Sequence, residues 1–198
     1  MSMVAKGTAF ETRVHAAIGR ELRSSKLGLD PASATLHAKK GYYSRDRDSE
    51  IIVDLSIEIW LPNATNWSLP WICECKDYGG SVPVDDVEEF KAKMDQISGA
   101  NRKGVMAVTG ALQQSALRYA QANGIGVVRL LPDDQVQHVL YQLSVGAAYP
   151  DRLTSSMVSQ ALVSPKYIGR NNSFFGLSGG HIHSGWQSVL RTDLQLSS

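Results

Sequence analysis

The stretch WICECKDYGG, residues 71–80, sets two cysteines, a glutamate, a lysine and an aspartate within and just after one apolar run. Charged groups are costly in a segment that otherwise reads as a buried strand, so the pattern needs a reason. Three readings are open: a C-x-C metal clip, a salt-bridged core strand, or one wall of an active site. Strand alternation separates them. Over residues 71–77, Ile72, Glu74 and Lys76 point one way, while Trp71, Cys73, Cys75 and Asp77 point the other. The cysteines thus face the packed side as small buried hydrophobes, and no third or fourth zinc ligand lies nearby in sequence.

Just upstream, IIVDLSIEIW at residues 51–60 alternates clearly. Ile51, Val53, Leu55, Ile57 and Ile59 are expected on a core face, with Ile52, Asp54, Ser56, Glu58 and Trp60 on a polar one. If the two strands pair, Asp54 and Glu74 lie side by side at about 5 Å. Two carboxylates that close repel unless a cation sits between them. Magnesium suits such a pair, being a hard ion that takes oxygen ligands at ~2.1 Å, and manganese should substitute for it. Lys76 emerges on the same face, roughly 6.6 Å along the strand. There it is placed to orient or help deprotonate a water on the metal and to offset charge on a phosphate. Glu58 lies ~13 Å from Asp54 along the strand and cannot share its ion. A place behind the metal ligands, or in solvent, is expected for Glu58.

The surrounding elements form an ordered series. Thr8–Arg23 reads as a helix, with Phe10, Val14, Ala17, Ile18 and Leu22 at helical spacing and Thr8 and Glu11 placed as a capping box. A strand is expected to begin near Tyr42–Ser44 and turn back through RDRDSE. Asp85 or Asp86 should cap a helix with Val87, Phe90, Met94 and Ile97 inside. KGVMAVTG and IGVVRLL read as buried strands flanking a helix in QQSALRYAQANG that ends at Gly124, and a last helix is expected over Asp134–Leu143. The order αβββαβαβ predicts an α/β fold with a central mixed sheet flanked by helices. It assigns residues 1–148 to one domain. Residues 149–198, rich in Ser and Gly, read as an appendage or the start of a truncated second region.

These positions carry a family resemblance. D-x(19)-E-x-K, from Asp54 to Lys76, resembles the PD-(D/E)xK nuclease signature. G-x-x-F-E at Gly7–Glu11 is similar to the opening of Mrr-like restriction endonuclease domains. The run at 103–110, then Leu112, Ala116, Tyr119, Ala120 and G-I-x-V-V at 124–128, is similar to their second half. The resemblance spans residues 7–130 and implies a restriction-endonuclease-like fold. It implies metal ligation by Asp54 and Glu74, catalysis by Lys76, and an auxiliary acid in Glu11. Val53 stands where the family usually has proline, and Glu74 where Mrr-like domains often have glutamine.

The activity this implies is Mg²⁺-dependent hydrolysis of DNA phosphodiester bonds, leaving 5′-phosphate and 3′-hydroxyl ends. A structure-selective repair or Holliday-junction nuclease would use the same centre, and a non-catalytic DNA- or protein-binding module could retain the fold. Lys39, Lys40, Arg45 and Arg47, leading into the first acidic strand, are candidate DNA contacts together with Gln113. His181 and His183 form an isolated H-x-H in a flexible region, where a metal role is weighed and not expected. A net charge of +1 neither demands nor excludes nucleic acid. Two cysteines one residue apart form no disulfide framework, which points to a reducing cytoplasm. The N-terminus lacks an apolar signal core, no window reaches membrane-span length, and double-strand cutting by one site would call for a homodimer.

Overall fold

The computed structural model describes residues 3–24, 27, 29–97, 102–137 and 153–196. Helix α1, Met3–Arg23, begins five residues before the expected Thr8 cap and buries Phe10, Val14, Ile18 and Leu22 as one stripe. Strands β1 (Ala34–Ser44), β2 (Ser49–Ile59) and β3 (Leu69–Lys76) follow as an antiparallel meander. Strand β1 starts eight residues before the expected Tyr42. Its first half, ATLHAKK, buries little, so hydrophobic alternation gives no signal there. Helix α2 (Val84–Gln96), strand β4 (Lys103–Val108), helix α3 (Gln114–Ala122) and strand β5 (Gly126–Leu130) then build two parallel crossovers. Pro83 takes the cap position of α2, with Asp85 and Asp86 in the first turn. Gly124, just beyond α3, has φ +65°, a left-handed turn that a glycine adopts without strain.

Beyond β5 two expectations change. Residues 133–137 form a 3₁₀ turn and a short strand, β6 (Val136–Gln137), in place of the start of a helix; the rest of that predicted helix lies outside the described residues. The segment expected to hang off the domain is built into it. Helix α4 (Ser155–Val163), strands β7 (Gly169–Arg170), β8 (Phe174–Ser178) and β9 (His181–His183), and helix α5 (Trp186–Asp193) follow in order. Strand β8 pairs antiparallel with β5, giving a seven-stranded mixed sheet in the order β1-β2-β3-β4-β5-β8-β9, while β6 and β7 pair in parallel separately.

The sheet separates two cores. Ile72, Met106 and Val127 pack with Val87, Phe90, Ala116, Leu117, Val158 and Leu162 under α2, α3 and α4. Trp71, Cys73, Cys75, Val105 and Val128 pack with Phe10, Val14, Ile18, Val189 and Leu190 under α1 and α5. Both cysteines are buried and free, as alternation required.

One strand departs from the expected alternation. Val53 belongs to the α2-side core and Leu55 to the α1-side core, although only Asp54 separates them. Across the ladder, Lys39 sits between the paired positions Ala38↔Leu55 and Lys40↔Val53 with φ 51°. The hairpin therefore bends at Lys39 and Asp54 and folds over the sheet. Tyr42 confirms it: it pairs with Ile51, yet its hydroxyl donates to Ser56 at 2.8 Å and Glu58 at 3.1 Å. In a straight strand, five residues would put Ser56 ~16 Å away.

The C-terminal elements are locked down by a buried carboxylate. Asp193 accepts from Trp71 Nε1 at 2.8 Å and from Ser178 Oγ at 2.6 Å, joining α5, β3 and β8. Trp186 stands edge-on to both Trp71 and Phe174. His183 is buried beside the Ser178 carbonyl and Ser188 Oγ, so half of the H-x-H is a structural residue on β9. Removing a buried acceptor leaves its donors unsatisfied at about 1–3 kcal/mol. Asp193→Ala should therefore lower the stability read by urea denaturation by about that amount, whereas removing the exposed Asp46 carboxylate should leave it unchanged.

Candidate active site

Strands β2 and β3 pair from Ile59↔Leu69 to Leu55↔Cys73 and no further. Asp54 and Glu74 occupy the next register position, at the fork where the two strands part. The parting leaves the Cys75 amide without a β2 carbonyl, and Asp54 Oδ2 accepts from it at 2.8 Å. The other oxygen, Oδ1, receives Lys39 Nζ at 2.5 Å, and the same ammonium lies 2.9 Å from Glu11 Oε2 on α1. Glu11 thus has a role that the capping-box reading missed. The helix starts at Met3, so its carboxylate is free to reach the sheet.

Glu74 is 5% exposed and lies on the other side of the fork, toward α2. Lys93 Nζ of α2 donates to its Oε1 at 3.0 Å, and Lys76 Nζ lies 3.3 Å from the same oxygen. Lys93 escaped the sequence reading because Glu89–Lys93 looks like an ordinary i,i+4 surface pair, which it also is at 3.1 Å. Burial pulls the Lys76 ammonium down, and the charges of Glu74 and Asp86 outweigh it, so its pKa lies above the ordinary 10.5. Lys39 is likewise lowered by burial but driven up to about 12 by its bonds to Asp54 and Glu11. Asp86, expected as a helix cap, has a buried Oδ2 with no hydrogen-bond partner among the described residues.

The structure thus brings Glu11 and Asp54 together through Lys39, and Glu74 together with Lys76. Among the described residues, no three His, Cys, Asp or Glu side chains form a group that could hold a metal ion. The donors still suit a cation, since Asp54 and Glu11 already share one in the Lys39 ammonium. A cleft of about 820 Å³ lies at the C-terminal ends of β3, β4 and β5, lined by Arg13, Asp77, Tyr78, Thr109 and Arg129 rather than by Asp54, Glu74 or Lys76. Gly110 lets its walls close up, because a Cβ there would stand 2.4 Å from the Gly80 carbonyl oxygen.

The candidate DNA contacts divide. Lys39 is engaged by acids, and Lys40 is tied to Glu58 at 2.6 Å. Arg45 and Arg47 are exposed in the β1–β2 turn, and Gln113 is exposed at the N-terminus of α3. Glu58, expected behind the metal ligands or in solvent, is 2% exposed and held by Lys40, Tyr42 and His37 of β1.

A family model described as restriction endonuclease, Mrr_cat, matches residues 29–140, which contain Asp54, Glu74 and Lys76 but not Glu11. The chain belongs to this restriction endonuclease family, and its mixed α/β sheet flanked by helices is the restriction-endonuclease-like fold. A comparison with curated proteins returns no match. Among solved structures, the crystal structure of a protein of unknown function, AF1548, is similar at 12% identity and a TM-score of 0.39, over 56% of this chain and 56% of that one. No helix among the described residues is long and apolar enough to cross a membrane.

Burial raises the Glu58 carboxyl, but the bond and charge of Lys40, the Tyr42 hydroxyl and the charge of His37 bring it below the ordinary 4.5. A depressed carboxylate adds stability above its unfolded pKa and loses it as the pH falls through the folded value. The stability gap between wild type and Glu58→Gln should accordingly be widest near neutral pH and shrink below 4.5, measured by urea midpoints across that range.

Proposed function

We propose that the protein is a divalent-metal-dependent DNA endonuclease that hydrolyses phosphodiester bonds at the β2–β3 fork. The observation supporting this reading is the placement of Asp54 at the fork, one register step beyond the last pair, beside Glu74 and Lys76 within the span that matches the family. Asp54 and Glu74 would hold Mg²⁺, or Mn²⁺ in its place, with Glu11 as an auxiliary acid. When bound, such an ion supplies charge neutralisation at the phosphate and acidifies water.

The chain's own residues do the rest. Lys76 is held protonated by Glu74 and Asp86, so it acts as a cationic hydrogen-bond donor to a phosphate oxygen or to the attacking water. Glu74, shielded from solvent and flanked by two ammonium groups, stays in place while substrate enters. Lys39 neutralises Asp54 and Glu11 until a stronger cation competes for them. Arg45 and Arg47 at the hairpin turn, and Gln113 at the start of α3, are exposed and would contact the DNA backbone.

Plasmid cleavage with Mg²⁺ or Mn²⁺ against EDTA tests the reading. Nicking should require metal and fall on the order of a hundredfold or more in both Glu74→Ala and Lys76→Ala. Metal-dependent nicking that survives both substitutions would sink the assignment. Lys39→Gly accepts the φ of 51° and removes the competing ammonium. Calorimetry should then show tighter Mg²⁺ binding than wild type; weaker binding would mean that Lys39 does not compete for the same carboxylates.

A further inference from the structure

The folded hairpin encloses a second cleft, distinct from the fork, of about 650 Å³. Such a volume lies within the roughly 300–1,000 Å³ of clefts that take a small ring system. Its walls are aromatic: Tyr42, Tyr43, Trp60 and Trp67, with Tyr42 and Trp67 meeting edge to face at 6.2 Å. Its polar lining comes chiefly from Glu58, Lys40 and the exposed amide of Asn66. Tyr42 belongs to the α2-side core and Trp67 packs against it, so these two walls are held in place by the core.

Glu58 has capacity to spare. Its Oε1 takes Lys40 Nζ at 2.6 Å and the Tyr42 hydroxyl at 3.1 Å, while Oε2 has His37 Nε2 at 3.2 Å. A carboxylate offers about four lone-pair sites, so one on Oε2 is left for a donor entering the cleft. Flat aromatic walls beside a buried, partnered carboxylate suit a planar heterocycle that donates from an amino group. Position adds to the chemistry. Ser56 pairs with Ile72, so Glu58 and Glu74 project from the same face of the sheet, and Glu58 lies only ~13 Å along β2 from Asp54.

We propose that this cleft holds one unpaired base with an exocyclic amino group, adenine, cytosine or guanine, from a DNA strand bound at the fork. This rests on the nuclease reading for the strand's presence. Trp60 and Trp67 stack on the ring, Tyr43 lines the rim with its hydroxyl held by Asp48, and Glu58 accepts from the amino group. Thymine offers no amino donor and is the disfavoured base.

The test is binding in EDTA, without cleavage, of short oligo(dA), oligo(dC) and oligo(dT) to the full chain. It is read by tryptophan fluorescence and by anisotropy of labelled strands. Trp60 and Trp67 line the cleft, whereas Trp71 and Trp186 are buried in the opposite core, so stacking should quench the first pair. Oligo(dA) and oligo(dC) should quench and bind about tenfold tighter than oligo(dT). Tyr43→Ala and Asn66→Ala, at exposed positions, should each weaken binding several-fold with unchanged melting temperature, and Glu58→Gln should remove the base preference. Equal affinity for the three strands, or no effect of Tyr43→Ala and Asn66→Ala, overturns the proposal. So does binding of dAMP and dCMP as tight as that of the strands, which would assign the cleft to free nucleotides. Glu74→Ala should keep the base preference, so a failed cleavage assay overturns the nuclease reading alone.

Discussion

The bend of the β1–β2 hairpin at Lys39 and Asp54 is the constraint on which the rest of the site depends. A straight β2 would keep Val53 and Leu55 on one face; the bend sends them into opposite cores and anchors both sides of the kink. Releasing β2 from β3 beyond Leu55 exposes the Cys75 amide, and Asp54 answers it. A buried amide with no acceptor is costly, so the same hydrogen bond that completes β3 fixes where the Asp54 carboxylate points. Lys39, in a left-handed conformation uncommon for a residue with a side chain, turns its ammonium between Asp54 and Glu11. Local strain and the candidate site coincide here, as strained backbone often does at active sites.

Charge at the fork is balanced by proximity. The carboxylates of Glu11, Asp54 and Glu74 meet the ammonium groups of Lys39, Lys76 and Lys93. Breaking a buried pair strands the remaining charge, so Glu74, Lys76 and Lys93 hold one another in place, whereas the Lys39 side chain stays half-exposed. Arg129 solves the same problem without an acid. At 1% exposure it donates to the carbonyls of Ala161 and Ser164 at 2.6 and 2.7 Å, at the C-terminal end of α4, and to Thr109 at 3.1 Å. The negative end of the helix dipole serves as its counter-charge. In doing so Arg129 ties the loop after β4 to the C-terminal segment and shapes one wall of the cleft at the ends of β3, β4 and β5.

Residues 153–196 join the main sheet because β5 would otherwise be an open edge. Strand β8 covers that edge, and α5 fills the α1-side layer beside Trp71. The segment's high serine and glycine content reflects close packing as much as loops. Gly169 on β7, for example, has room for no Cβ, which would run into the Asn172 carbonyl oxygen.

The sequence by itself determined the element series from α1 to β5, the sheet class, the inward-facing cysteines, and Asp54, Glu74 and Lys76 as the residues to watch. Each is a local matter of hydrophobic period or of residue spacing along neighbouring strands. It could not show that β2 changes faces at Asp54, because alternation in IIVDLSIEIW reads the same whether the strand is straight or bent. It could not assign Lys93 to Glu74, Lys39 to Glu11, or Asp193 to Trp71, since these pairs join residues 19, 28 and 122 positions apart. Nor could it place Ser- and Gly-rich residues in the sheet, where pairing with β5 supplies what their weak periodicity does not announce. Tertiary structure decided these points because burial, not sequence order, determines which charges must meet and which backbone groups must find partners.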